Sequence, residues 1–118
     1  MANRYENIQT SGVAEVSNSS GSSILIAAPG STLYLYIESI TISVSRAATG
    51  GGGEVLVQDT NGNFIWRLNA DGVKDFALPL GEEGLRVGPG VGVAVSVGNA
   101  QGEQATASVA VVGHLAFR

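Results

Sequence analysis

Toward the C-terminus, valine alternates with small residues so strictly that a helix is excluded. Val91, Val93, Val95 and Val97 are separated by Gly92, Ala94 and Ser96 and followed by Gly98. That period of two places all four valines on one face of a strand. After a polar stretch, Asn99 to Gln104, residues 106–117 are again rich in valine and small residues and hold no Asp, Glu, Lys or Arg. Two such runs joined by a six-residue loop containing Gly102 predict an antiparallel hairpin. Fully buried valines contribute about 1.5–3 kcal/mol each, so this pair demands a second layer to cover it.

The upstream chain supplies that layer in pieces. Ser23 to Ala28 reads as a brief apolar strand closed by the turn pair Pro29-Gly30. The next run changes phase: Leu33, Leu35 and Ile37 hold one parity, whereas Ile40, Ile42 and Val44 hold the other. A one-residue slip flips every side chain, so a bulge, or a bend from one sheet to the other, is predicted near Glu38-Ser39. Glu54–Gln58 and Phe64–Leu68 flank Asn61-Gly62, a dipeptide suited to a type I′ hairpin turn. Phe64, Trp66 and Leu68 share a parity there, which places them on one face, and Trp66 is expected to be core. Val73–Leu78, ending at Pro79, and Leu85–Val87 complete the set.

The sum is eight or nine strands with a turn signal every 8–12 residues and no helical period. This predicts an all-β fold: a two-sheet antiparallel β-sandwich with jelly-roll connectivity. Residues 1–22 are expected to be a polar N-terminal arm with at most one short strand, and residues 23–118 the sandwich domain.

Composition narrows function. Of 118 residues only 14% are charged, against about 25% in ordinary globular proteins. Such depletion fits either a Ser/Thr/Asn-rich surface or a surface covered by other subunits, whose interface cores exclude charge. Six Lys or Arg and a net charge of −4 make no basic patch, so no nucleic acid is expected as a partner. No run approaches the roughly 18 apolar residues of a membrane helix, and no membrane partner is expected. The N-terminal residues show no apolar signal-peptide core, which suggests a chain that begins soluble in a cytoplasm.

Machinery for chemistry is sparse. There is no Cys, and His114 is the sole imidazole, so thiolate sites and multi-histidine metal sites are excluded. Asp59, Asn61 and Asn63 have calcium-loop spacing, but the sixth and twelfth positions are Phe64 and Ala70 in place of Gly and Glu. The run Gly50–Gly53 matches no phosphate-binding pattern. No enzyme activity, cofactor or metal is expected. Tyr34, Tyr36 and Trp66 are the rings that a lectin-like carbohydrate site would use.

Two segments carry a resemblance. Ala27-Ala-Pro-Gly-Ser-Thr-Leu-Tyr-Leu-Tyr-Ile-Glu-Ser-Ile-Thr-Ile-Ser43 and Gly84-Leu-Arg-Val-Gly-Pro-Gly-Val-Gly-Val-Ala-Val95 are similar to a pattern in small tailed-phage virion proteins. Those are jelly-roll capsid decoration (cement) proteins, and the resemblance spans Ser22 to Val112. It implies a virion protein on the outer capsid surface that clamps neighbouring major capsid protein subunits, commonly as a homotrimer, without catalytic residues. A tail, fibre or baseplate sandwich is the nearest alternative, and a lectin-like module the next. Protein contacts are expected from the arm around Arg4 and Tyr5 and from the loops Arg46–Gly53 and Asp59–Asn63, the latter through Asn61 and Asn63.

Overall fold

A computed structural model of the chain describes residues 8–17, 22–46, 54–69, 73–98 and 106–117. These described residues form nine strands in order: β1 (Ile8–Ser17), β2 (Ser23–Ile26), β3 (Tyr34–Arg46), β4 (Glu54–Asp59), β5 (Phe64–Asn69), β6 (Lys74–Pro79), β7 (Leu85–Val87), β8 (Val93–Gly98) and β9 (Thr106–Ala116). They form two antiparallel sheets. Sheet A has the order β1-β9-β3-β6, with β7 also paired to β3, and sheet B has the order β2-β8-β4-β5. The chain crosses repeatedly between the layers, and these strand orders are those of a jelly roll.

Alternation builds the core. From sheet B, Val55, Val57, Val93, Val95 and Val97 turn inward; from sheet A, Leu35, Ile37, Ile40, Ile42, Val44, Val109 and Val111 meet them, all buried. Val16 of β1 and Leu25 and Ile26 of β2 close one flank. At the other, Trp66 of β5 stacks on Phe76 of β6 with ring centroids 5.6 Å apart, bridging the two margins.

The expected C-terminal hairpin does not form. β8 pairs with β2 and β4, whereas β9 pairs with β1 and β3, in the opposite sheet. Periodicity reports that a strand has one buried face, and not which neighbour it pairs with. Here the two valine runs bury toward one core from opposite layers.

The phase switch in β3 is a bulge within one sheet. Its register against β9 shifts between Ile37 and Ser39, and β3 stays beside β9 from Tyr34 to Arg46. The expected alternative, a bend from one sheet to the other, is therefore not what occurs. The partner on the far side changes at the same point, from β7 for Leu35–Ile37 to β6 for Ser39–Val44. Gly113 lies opposite Ile37, where a Cβ would collide with the Tyr36 carbonyl.

Three more expectations are revised. The β4–β5 hairpin forms, but Gly62 N–H donates to the Asp59 carbonyl (3.0 Å) and Asp59 N–H to the Asn63 carbonyl (2.9 Å), with Gly62 at φ 93°. That is a three-residue turn with a glycine bulge, not a two-residue type I′ turn. A register shift between Val57 and Gln58 skips Ile65 and turns Phe64 to the outer face, 56% exposed, away from Trp66 and Leu68. Within residues 1–22, β1 is a ten-residue strand paired along its whole length with β9, longer than the short strand expected.

Gly113→Ala forces a side chain into backbone, so it destabilises the fold by roughly 1–3 kcal/mol. Gly30→Ala, where a Cβ would meet nothing within 4 Å, leaves it nearly unchanged. Urea unfolding of both variants checks the pair.

Candidate functional site

The parity that buries the core also decides what faces outward. Registers across β1, β9, β3 and β6 align three outer rows on sheet A. These are Glu15–Ser108–Ser43–Asp75, Val13–Ala110–Thr41–Ala77 and Ser11–Val112–Ser39–Pro79. Twelve positions thus carry two charges, and both lie in one row on the two outermost strands. The Asp75 carboxylate accepts a hydrogen bond from the Ser43 hydroxyl at 2.6 Å. What remains is a field of Ser, Thr, Ala, Val and Pro side chains, with Val13, Thr41, Ala77, Pro79 and Val112 exposed. An open groove lined by Gln9, Thr10, Ser11 and Val112 borders it between β1 and β9.

One end of this face is pinned by polar and aromatic pairs. Nδ1 of His114 lies 2.6 Å from a carboxylate oxygen of Glu38, the residue at the β3 bulge. The imidazole stacks on Tyr36 at 5.1 Å and 5° between planes. Arg86 of β7 sits over the Tyr34 ring, 4.8 Å from its centroid. An imidazole oriented by a carboxylate is half of a hydrolytic triad. Its cross-strand neighbours, however, are Gln9 and Tyr36, neither of which supplies an aliphatic hydroxyl or thiol. The pair joins β9 to the residue at the β3 bulge. The sequence reading missed it, because Glu38 and His114 are 76 positions apart and only the β3–β9 register brings them together.

Of the five expected contact residues, the structure brings together Asn61 and Asn63. Both are exposed at the β4–β5 tip and bound to Asp59, which is 9% exposed. One carboxylate oxygen accepts the backbone N–H groups of Asn61 (2.9 Å) and Asn63 (3.0 Å), and the other accepts the Asn63 side-chain amide (3.0 Å). Calcium-type spacing here is a turn in which donors converge on the carboxylate. Thr60 ties this tip to Gly92, its hydroxyl accepting the Gly92 N–H at 3.0 Å. Arg46 is the last residue of β3, and the rest of its loop, 47–53, lies outside the described residues. Arg4 and Tyr5 lie outside them as well.

The rings a sugar platform would use are already engaged: Tyr34 under Arg86, Tyr36 on His114 and Trp66 on Phe76. The Trp66 Nε1 is buried without a hydrogen-bond partner, so packing alone holds the indole. Among the described residues, no group of three or more acidic or His side chains could hold a metal ion, and no helix is long and apolar enough to cross a membrane.

Comparison with known proteins adds to this geometry. No protein-family model matches the chain, and no curated protein matches its sequence. Among solved structures, it is similar to a chain in the acidic stable capsid structure of Helicobacter pylori bacteriophage KHP30. That match has 14% identity, covers 92% of this chain and 89% of that one, and has a TM-score of 0.59. It is also similar to a chain in the Cyanophage Pam1 capsid asymmetric unit, at 12% identity, 93% and 86% coverage, and a TM-score of 0.60. What is shared is the fold. A β-sandwich of this form thus occurs in chains of two phage capsid structures at nearly full length.

Burial alone would raise the Asp59 pKa, but the Asn63 side chain and the N–H groups of Asn63, Asn61 and Gly62 outweigh it and hold the carboxyl below its ordinary value of 3.8. A depressed folded value means the stabilisation is complete above that pH and is lost as pH falls through the folded value. Asp59→Asn is therefore less stable than the parent at pH 7, and the gap closes in strong acid. Urea midpoints measured across that range check it; a gap independent of pH would contradict it.

Proposed function

We propose that this chain is a structural virion protein, a capsid decoration (cement) protein of a tailed phage, with no enzymatic activity. It sits on the outer surface of the head and clamps neighbouring major capsid protein subunits, as implied by the strand and turn pattern of residues 27–43 and 84–95. The observation that carries this reading is the outer face of sheet A, where three aligned rows across four strands present ten uncharged side chains out of twelve. Interface cores are depleted of charge in the same way. Small side chains lose little rotamer entropy on burial, so a field of them suits a contact whose strength comes from shape and repetition. The likeness in fold to chains of two phage capsid structures supports the same conclusion. Homotrimer formation, as the resemblance implies, would multiply such a contact without new chemistry.

Thr41 is exposed at the centre of that face. Thr41→Lys places an unpaired charge in the contact, and an interface charge left without a partner costs several kcal/mol. Co-sedimentation with phage heads that lack the protein should show binding weakened by roughly tenfold or more, with the unfolding midpoint unchanged. Binding equal to the parent's would remove sheet A as the contact face; binding to isolated tails and not to heads would favour a tail, fibre or baseplate component.

A further inference from the structure

Among the described residues, five strands lie at the margins of the two sheets: β1, β6 and β7 in sheet A, β2 and β5 in sheet B. A marginal strand offers unpaired main-chain N–H and C=O groups to any other strand, and stable monomers blunt it with charge, Pro, bulges or brevity. Four of these five are blunted. β6 begins with Lys74 and Asp75 and ends at Pro79. β7 is three residues long with Arg86 at its centre. β2 is four residues long, with a register shift between Ile24 and Ile26. β5 is bulged at Ile65 and carries Arg67.

β1 has only one of these devices, a single charge near its end. It runs ten residues, its register against β9 is unbroken from Ile8 to Ser17, and it contains no Pro, Lys or Arg. Its single charge is Glu15, and near its middle stands Val13, at 74% the most exposed large hydrophobic side chain among the described residues. β2 does approach β1 at Gly12, where a Cβ would collide with the Leu25 carbonyl. Among the described residues, however, β2 makes its ladder with β8, and β1 with β9.

We infer that β1 pairs with β1 of a second copy, antiparallel and about a two-fold axis. One register is self-complementary. With Val13 on the axis it lies against the partner's Val13, Ser11 lies against the partner's Glu15, and Gln9 against the partner's Ser17. The one charge of the strand thus avoids its own image, and like charges directly opposite are destabilising. A parallel pairing in equal register would set Glu15 against Glu15. The contact uses the same patch on both copies, so it closes at two. It also joins two charge-poor sheet A faces into one continuous surface, which a three-fold contact elsewhere on the molecule would not obstruct. The inference depends on the chain alone and stands or falls apart from the capsid reading.

The purified chain tests it. Native mass spectrometry should find an even number of 12.0 kDa copies. Val13→Lys, which sets two like charges face to face, should halve that mass with an unchanged circular dichroism spectrum. Because the chain has no Cys, single cysteines give a second readout. Opposed Cα atoms of an antiparallel pair, about 4.5–5.5 Å apart, lie within disulfide reach. Val13→Cys should therefore oxidise to a covalent dimer about tenfold faster than Ile24→Cys, whose side chain is 65% exposed on sheet B. A monomeric or odd-numbered parent, a mass unmoved by Val13→Lys, or equal oxidation rates for the two cysteine variants would each overturn the pairing.

Discussion

The closure of β3 and β9 over β4 and β8 is the interaction on which the remaining features depend. Ile40, Ile42, Val109 and Val111 on one layer and Val55, Val57, Val93 and Val95 on the other are all but inaccessible to solvent, and burial of this kind is the main favourable contribution to folding. Strand geometry then leaves no freedom outside. With Ile40 and Ile42 inward, Ser39, Thr41 and Ser43 must point outward, and with Val109 and Val111 inward, Ser108, Ala110 and Val112 must do so. The charge-poor outer face of sheet A is thus the complement of the core. The bulge at Glu38 extends the arrangement, because without it Leu35 and Ile37 could not share the inner face with Ile40 and Ile42. Gly113 admits the close approach of the Tyr36 carbonyl next to that bulge, and the Glu38–His114 pair ties the bulge to β9.

Much of the architecture was readable from residue parity, because parity records burial directly. The phase change between Ile37 and Ile40 pointed to a bulge or a bend near Glu38-Ser39, of which the bulge occurs, and the spacing of turn residues pointed to eight or nine strands in two layers, of which the described residues form nine. Pairing was less readable. Val93–Gly98 and Thr106–Ala116 look like hairpin partners, yet they belong to opposite sheets, since a one-sided apolar strand is satisfied by any neighbour that presents the same face. Phe64 shows how one skipped residue defeats a parity argument: with Ile65 bulged, the ring turns outward and the Arg67 guanidinium rests over it at 4.8 Å. Asn61 and Asn63 were visible as an exposed polar tip, but their bonds to Asp59 make them parts of a turn. The outer rows of sheet A became visible only once the registers of four strands were known, because each row draws its residues from β1, β9, β3 and β6 at once.

The chemistry of the surface matches a protein that binds by contact alone. Moving charged groups out of water into an interface costs more than their mutual attraction often returns, whereas a field of Ser, Thr, Ala and Val is inexpensive to desolvate and to immobilise. Rigid strands present that field without an ordering step, and the β4–β5 tip is fixed in the same spirit by Asp59 and Thr60. The aromatic rings, which elsewhere would serve as ligand platforms, are employed in stacking within the molecule. Low charge, an engaged imidazole and an outer face with two charges in twelve positions are together what the proposed contact function calls for.

A cryo-electron microscopy reconstruction of the phage head with this protein bound, at side-chain resolution, tests the central claim most directly. The outer face of β1, β9, β3 and β6 should lie against the shell, with Thr41 and Ala110 in contact with major capsid subunits. A chain found on the head with that face turned to solvent, or found only in the tail, would contradict the account.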